Sequence, residues 1–195
     1  PAFLASALDM KYTADGTFER KPEERRIHLQ LFFRTLQISL IVVLAGLILG
    51  YPVAFLLSSL PARTSNLLLI FVLLPFWTSL LVRTTAWIAM LQGQGVLNDL
   101  SVVFGLATEE DRFSLIYNKT GTLISMTHIL LPFMILPLYS VMKVIPKSHM
   151  RAAQNLGAKP ATAFWKVYLP QTIPGMSAGG LLVFVLAIGY FITPE

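Results

Sequence analysis

Cysteine is absent from the 195-residue chain, and charged residues make up only 13% of it. The missing thiols exclude disulfide bridges, a thiolate nucleophile and a metal site built on cysteine. A soluble globular protein carries roughly 25% charged residues, so about half of the usual charge is missing. Because 55% of the residues are apolar, we interpret the chain as an integral membrane protein made mainly of helices.

Sequence patterns for nucleotide binding and hydrolytic catalysis are missing as well. Neither G-x-x-x-x-G-K-[ST] nor H-E-x-x-H nor G-x-S-x-G occurs. His28, His128 and His149 are too scattered along the sequence to indicate a zinc site. We therefore predict that the chain is not an enzyme and has no catalytic residues, no metal ligands and no cofactor of its own.

Four apolar stretches are long enough to cross a bilayer, which takes about 20 helical residues. They are Thr35–Leu57, Leu67–Leu91, Thr120–Met142 and Met176–Thr193, and Arg83 is the one formal charge within them. Strands of a membrane β-barrel would be about 10 residues long with strict alternation. We therefore predict an all-α, polytopic bundle of transmembrane helices.

Basic residues between the third and fourth stretches indicate the orientation. This loop has no acidic residue and contains Lys143, Lys147, Arg151, Lys159 and Lys166. Such an excess is typical of cytoplasmic loops, so we place residues 143–175 inside the cell. Alternation then puts the turn around Arg63 on the same side and residues 1–30 outside. A missing helix before Pro1 would be needed to bring them there, and the last stretch runs on to Glu195, so we expect truncation at both ends.

Glycines and prolines within the stretches predict bent, closely packed helices. Two G-x-x-x-G pairs occur, Gly46 with Gly50 and Gly175 with Gly179, and this spacing lets helix backbones approach closely in lipid. Prolines lie inside or at the ends of stretches at Pro52, Pro75, Pro132 and Pro137. Each removes an amide donor and bends its helix, although both residue types are also simply common in membrane helices.

The basic loop is predicted to fold as two short helices joined by a glycine. Ser148 can cap the first helix, over 149–156, and Gly157 is a natural stop. Pro160 suits the first turn of a second helix over 161–168. The following Leu169-Pro170 pair is expected to break that helix before the next transmembrane stretch.

One side of the first short helix is small and smooth. Ala152, Ala153 and Leu156 share this side, and Leu156 is its one large apolar side chain. This shape suits a shallow groove on another protein. The alternative is an amphipathic segment that lies on the lipid surface with its lysines towards phosphates.

Two spaced motifs follow one another in this loop, A-A-x-x-L-G-A and then F-x-x-V-x-L-P-x-x-x-P-G. They comprise Ala152, Ala153, Leu156, Gly157, Ala158, Phe164, Val167, Leu169, Pro170, Pro174 and Gly175. The arrangement resembles the signature loop of permease subunits from type I binding-protein-dependent ABC importers. L-L-P-F-W-T-S-L-L-V-R-T-x-A-W at 73–87 and F-I-T-P-E at 191–195 resemble the spermidine/putrescine branch of that family.

The resemblance implies an incomplete importer transmembrane domain over 31–195, in a multi-pass protein of the bacterial inner membrane that takes up a small, polyamine-like solute. It implies a coupling helix that docks in a groove of a separate ATPase subunit, formed by Arg151, Ala152, Ala153, Leu156, Gly157 and Ala158. ATP and Mg would bind to that ATPase. A second permease subunit and a periplasmic or extracellular solute-binding protein would be further partners, beside membrane lipid and with no nucleic acid.

One position departs from that family pattern. The signature usually has Glu before the two alanines, where this chain has Arg151. A carboxylate there could contact a basic residue of the ATPase or cap its own loop, and arginine reverses that charge. The smooth face and the helix-ending Gly157 are both present in this chain. The family feature that we do not carry over is therefore limited to a specific salt bridge at position 151.

Trp77, Thr78, Arg83 and Trp87 are the candidates for the translocation pathway. Counting 1.5 Å per residue from Leu67 puts Arg83 about 24 Å along a straight helix, near the outer interface. Arg83 could line the outer mouth of the pathway or snorkel to headgroups, and either tryptophan could be an interface anchor. Aromatic rings suit a polyamine through cation–π contact, whereas an arginine in the same channel opposes a cation.

Two other classes of function remain open. An ion- or proton-coupled secondary transporter would need Asp, Glu or Lys near the membrane midplane, and the four stretches lack them. A membrane-embedded enzyme would need a catalytic set of residues, which the sequence does not contain.

Overall fold

The computed structural model describes residues 10–12, 18–20, 27–105, 108 and 118–192. A short antiparallel hairpin, β1 (Met10–Tyr12) with β2 (Phe18–Arg20), comes first and was not predicted. Most of residues 1–30 lie outside the described part, so their extracytoplasmic location stays a prediction. The rest of the described chain is helical, which confirms the predicted fold class.

The helices follow in the order α1 (Ile27–Ser59), α2 (Ala62–Leu73), a 3-10 turn (Leu74–Trp77), α3 (Leu80–Leu91), α4 (Val96–Val103), α5 (Lys119–Val144), α6 (Lys147–Asn155), α7 (Pro160–Ala163), a π-helical turn (Phe164–Tyr168) and α8 (Leu169–Ile192). Within the described residues, segments 30–59, 119–144 and 160–189 are each long and apolar enough to cross a membrane. The first and third predicted stretches are therefore confirmed, each with a few more residues than predicted.

Helix α5 forms the centre of the bundle. Both α1 and α8 pack against it and against each other, and Leu130, Met134 and Leu138 of α5 are fully buried. The apolar side chains of α1 that point away from α5, such as Leu40 and Ile48, are exposed. A helix that faces lipid needs no polar outer face, so this arrangement fits a membrane bundle.

The side chain of Met134 lies between the two predicted glycine pairs. A Cβ atom built on Gly50 would lie 3.2 Å from Met134 Cγ, and one on Gly179 would lie 3.0 Å from Met134 Sδ. Gly46 is in looser contact with the same methionine, at 3.6 Å. Gly50 and Gly179 thus let α1 and α8 approach α5 closely, as predicted, whereas a Cβ atom at Gly46 would be in ordinary van der Waals contact.

The second predicted stretch, 67–91, is not one straight helix, and that prediction was wrong. Segments 62–77 and 81–103 meet at an angle of 94°. Pro75 lies in the 3-10 turn that ends the first segment, and the Ser79 hydroxyl accepts a hydrogen bond from the Val82 amide at 3.2 Å. A proline that removes a donor, followed by a serine that caps a new helix, divides the span into two.

The predicted break at Leu169-Pro170 does not occur either. Helical structure continues from Pro160 into α8, so the last span begins well before Met176. The Leu169 amide bonds to the Phe164 carbonyl five residues earlier, which widens the turn directly before Pro170. In a π-helical turn each amide bonds to the carbonyl five residues earlier in place of four. This shift in the backbone hydrogen bonds lets the helix continue past Pro170, which has no amide donor.

We expect Gly179→Leu to lower the stability of the full-length protein by about 1–3 kcal/mol, because the new side chain overpacks against Met134. Gly189→Leu, in the same helix, is the matched control, since a Cβ atom there meets nothing within 4 Å. Thermal unfolding in detergent measures the difference. Equal melting temperatures for the two variants would contradict the close packing at Met134.

Candidate functional sites: the glycine elbow and the broken span

The segment that joins α6 to α7 forms the predicted glycine elbow. Gly157 has a φ of +88°, in the left-handed region that favours glycine. Its amide bonds to the Gln154 carbonyl at 2.9 Å, and the Ala158 amide bonds to the Ala153 carbonyl at 3.0 Å. This pair of bonds is a Schellman motif, which terminates α6 and satisfies its last carbonyl groups.

The two helices of the elbow begin at slightly different residues than predicted. Pro160 starts α7, as expected, with Lys159 as the residue before it. Helix α6 begins at Lys147, after Pro146 at the cap position, so Ser148 lies inside the first turn and the predicted serine cap was wrong. Pro146 holds the backbone extended directly before the helix, and no side chain is needed to set the entry of the chain.

Polar contacts fix the elbow to the ends of two spans. Lys143 Nζ donates to the Leu60 carbonyl at 3.4 Å, and Lys147 Nζ donates to the Ser59 carbonyl at 3.2 Å. His149 Nδ1 lies 2.8 Å from Gln171 Oε1 at the start of α8. Lysines at the carboxyl end of α1 also complement its helix dipole. The turn near Arg63 and the basic loop therefore lie at the same end of the bundle, as the sequence predicted.

The predicted coupling residues fall on two sides of α6. Leu156 is 89% exposed, Ala152 and Gly157 are also exposed, and Ala153 and Ala158 are partly covered. Arg151 is also exposed, and it lines a pocket next to the helix. The resemblance had grouped Arg151 with the coupling residues, although not with the smooth face, and the coupling role of all six residues stays a prediction.

That pocket, called the basic pocket below, has a volume of about 440 Å³ and lies between α1, α5, α6 and the π-helical turn. Lys143, Lys147 and Arg151 supply its charge, and its apolar wall includes Phe55, Met142, Met150 and Tyr168. The sequence analysis missed this site. Basic residues directly after the end of a span were the available signal, since such residues often bond to the last carbonyls of a neighbouring helix.

At the broken span, Arg83 turns back onto the backbone of the break. Its guanidinium donates to the Pro75 carbonyl and, at 3.2 Å, to the Thr78 carbonyl, and the Thr78 hydroxyl donates to the Pro75 carbonyl at 2.7 Å. A straight helix would hold residues 75 and 83 about 12 Å apart. The placement of Arg83 far along such a helix was therefore wrong, because the bend brings the two together.

The two tryptophan candidates have different surroundings. Trp77 is 89% exposed at the break, whereas the Trp87 ring packs edge-on against His128 of α5, with ring centres 5.2 Å apart. Phe76 makes a similar contact with Phe133, at 4.8 Å. The break is thus packed against α5 through Phe76 and Trp87, which leaves Trp77 as the outward-facing ring. Whether any of these side chains lines a pathway stays a prediction.

Within the part of the chain that the structure describes, no group of three or more His, Cys, Asp or Glu residues could hold a metal ion. The chemistry of both sites is therefore that of cations, backbone carbonyls and apolar surface.

Comparison with known proteins adds a family and several relatives. Residues 36–195 match the family described as "Binding-protein-dependent transport system inner membrane component". The spermidine/putrescine transport system permease protein PotB of Escherichia coli is 36% identical over 187 residues, which cover 96% of this chain and 66% of PotB. PotB of Haemophilus influenzae is 36% identical over 165 residues, covering 85% of this chain and 57% of the relative.

A more distant relative carries a different name. The molybdenum transport system permease protein ModB of Mycobacterium bovis is 28% identical over 144 residues, which cover 74% of this chain and 52% of ModB. The chain thus spans between about half and two-thirds of the length of these curated relatives.

We expect Gly157→Val to strain the elbow by about 1–2 kcal/mol, because a left-handed backbone brings Cβ too close to the following carbonyl. Gly157→Asn is the matched control, since asparagine adopts this conformation more readily. Amide hydrogen exchange of the peptide over 153–163 should be faster in the valine variant than in the asparagine variant. Similar exchange in both would show that the elbow does not depend on the glycine.

Arg83→Met should destabilise the full-length protein by about 1.5–3 kcal/mol, because it removes a charged donor from two carbonyls at the break. Arg63→Met removes an exposed arginine from the first turn of α2 and should have little effect. Chemical unfolding in detergent compares them. Equal stabilities, together with a lower transport rate for Arg83→Met alone, would assign Arg83 to the pathway and not to the break.

Proposed function

Because the chain belongs to the family of binding-protein-dependent transport system inner membrane components, we propose that the full-length protein is the permease subunit of an ATP-driven importer. The chain is a multi-pass protein of the inner membrane, and its family is one of transport components, not enzymes. ATP and Mg bind to a separate ATPase subunit. A solute-binding protein delivers the solute, and a second permease subunit completes the path.

The observation that carries this proposal is the exposed, rigidly held elbow. Leu156 projects at the end of α6 with 89% of its surface exposed, while the Schellman turn at Gly157 fixes its direction. A protruding apolar knob on a short helix with small neighbours suits insertion into a groove of a partner protein. We assign that groove to the ATPase subunit.

The anchoring of the elbow provides a route for the coupled motion. Lys147 joins α6 to the end of α1, and His149 joins it to the start of α8. When ATP binding closes the ATPase subunits, a docked α6 would pull on both spans at once. Because both spans pack on α5, the pull would tilt the bundle between inward-open and outward-open states.

The proposed solute is a polyamine or a similar small cation. The name of the PotB relatives supports it, and so does the exposed ring of Trp77, which suits cation–π contact. The guanidinium of Arg83 is held by backbone carbonyls, so it is directed into the break. Because the ModB relative is named for molybdenum transport, an oxyanion such as molybdate is the competing solute to test.

An ion-coupled carrier is the other candidate, and it would need acidic side chains within the spans. The sequence has no Asp or Glu between Ile27 and Asn98 or between Arg112 and Pro194. No observation on these spans favours that mechanism.

Reconstitution of the full-length protein with its ATPase and binding protein in proteoliposomes tests the proposal. Uptake of labelled spermidine should require ATP inside and should persist when a protonophore collapses the proton gradient. Uptake that needs the gradient and not ATP would exclude the importer. ATP-dependent uptake of molybdate in place of spermidine would retain the importer and refute the polyamine.

We expect Leu156→Asp to reduce ATP-driven uptake at least about tenfold, because a charge replaces an apolar side chain in a desolvated groove. Gln154→Asp introduces the same charge two residues away on α6, on a different helix face, and should retain most uptake. Binding of the ATPase subunit to each variant in detergent is measured in parallel. Equal uptake and equal ATPase binding by both variants would contradict docking through Leu156.

A further inference from the structure

We infer that the basic pocket binds the headgroup of an anionic phospholipid from the membrane leaflet at that end of the bundle. The argument rests on its charge, its shape and its position, and it does not depend on the transported solute. The three cationic residues at the pocket, Lys143, Lys147 and Arg151, are each exposed.

Among the described residues, none of the elements that form this pocket carries a carboxylate that could balance its charge. Asp and Glu are absent from the sequence between Ile27 and Asn98 and between Arg112 and Pro194, which includes every element that forms the pocket. The carbonyl end of α1 offsets only part of three positive charges, since a helix terminus carries about half an elementary charge. A bound anion would supply the remainder.

The two lysines are already held in place for such a ligand. Lys143 and Lys147 each donate one hydrogen bond to a carbonyl at the end of α1. An ammonium group has three donors, so each retains others for a phosphate oxygen. Arg151 adds a planar guanidinium, which matches two oxygens of a phosphate at once.

The shape of the pocket selects a lipid over a soluble anion. Phe55, Met142, Met150 and Tyr168 form an apolar wall next to the cations. A volume of about 440 Å³ lies within the range of small-molecule sites. The pocket lies where α1 and α5 end. Because the hydrocarbon core of a bilayer matches the length of such spans, we expect their ends to lie near the headgroups, where an amphipathic anion would match both surfaces of the pocket.

The first experiment uses full-length protein in nanodiscs that contain equal amounts of phosphatidylglycerol and phosphatidylcholine. Native mass spectrometry then measures which lipid the released protein retains. We expect phosphatidylglycerol to be preferred by at least about tenfold, since each basic residue near an anionic surface contributes a factor of about five. Equal retention of both lipids would overturn the inference.

Paired variants locate the site. Lys143→Gln with Lys147→Gln should abolish the preference, whereas Lys159→Gln with Lys166→Gln removes the same charge from exposed positions outside the pocket and should retain it. An equal loss in both double variants would indicate general attraction to the basic loop and overturn the site. Met150→Trp fills the pocket without changing its charge, and it should also abolish the preference even if the first double variant folds poorly.

Two further experiments distinguish a bound lipid from other possible occupants of the basic pocket. Millimolar inorganic phosphate should leave the retained phosphatidylglycerol in place, and displacement by phosphate would assign the pocket to a soluble anion. Replacement of Ser59, which lines the pocket, by p-benzoylphenylalanine should give a lipid adduct on irradiation of membranes. A crosslink to the ATPase or to another segment of the same protein would show that a polypeptide fills the pocket.

Discussion

The contact of Met134 with the glycines of α1 and α8 determines how closely the described spans pack. In lipid the helices gain little from burying apolar surface, so close backbone approach and dispersion contacts must hold them together. Gly50 and Gly179 leave the space that the methionine fills on either side. Since α5 continues almost directly into α6, the position of the elbow depends on this packing. The broken span also packs on α5, through the contact of Trp87 with His128.

At two places in this packed unit, cationic side chains bond to the backbone of neighbouring segments. At the elbow, Lys143 and Lys147 bond to the Leu60 and Ser59 carbonyls at the end of α1. At the break, Arg83 bonds to the Thr78 carbonyl and adds a donor to the Pro75 carbonyl, which also accepts the Thr78 amide. Inside a membrane an unsatisfied carbonyl costs several kcal/mol, so these contacts make an interrupted helix tolerable. From the sequence alone, Lys143 and Lys147 indicate only the orientation of the protein in the membrane, and Arg83 indicates only a candidate pathway residue.

The elbow combines a rigid turn with attachments to two spans. The left-handed Gly157 fixes the angle between α6 and α7, and contacts from Lys147 and His149 carry any displacement of α6 to α1 and α8. The proposed lipid would sit between these attachments and would join α6 to the end of α1 through its phosphate. Arginine at 151, where the resemblance leads one to expect glutamate, keeps that pocket free of negative charge.

Local sequence determined the helical class, the first and third spans, the glycine pairs and the elbow, because each depends on hydropathy over one helix length or on the conformational freedom of one glycine. Tertiary structure decided which prolines interrupt a helix: α5 continues through Pro132 and Pro137, whereas the span breaks at Pro75. It also decided where Arg83 and Arg151 lie. Those outcomes depend on which carbonyls, caps and neighbouring helices surround each residue. Such contacts are not periodic, so hydropathy and helix periodicity in the sequence do not reveal them.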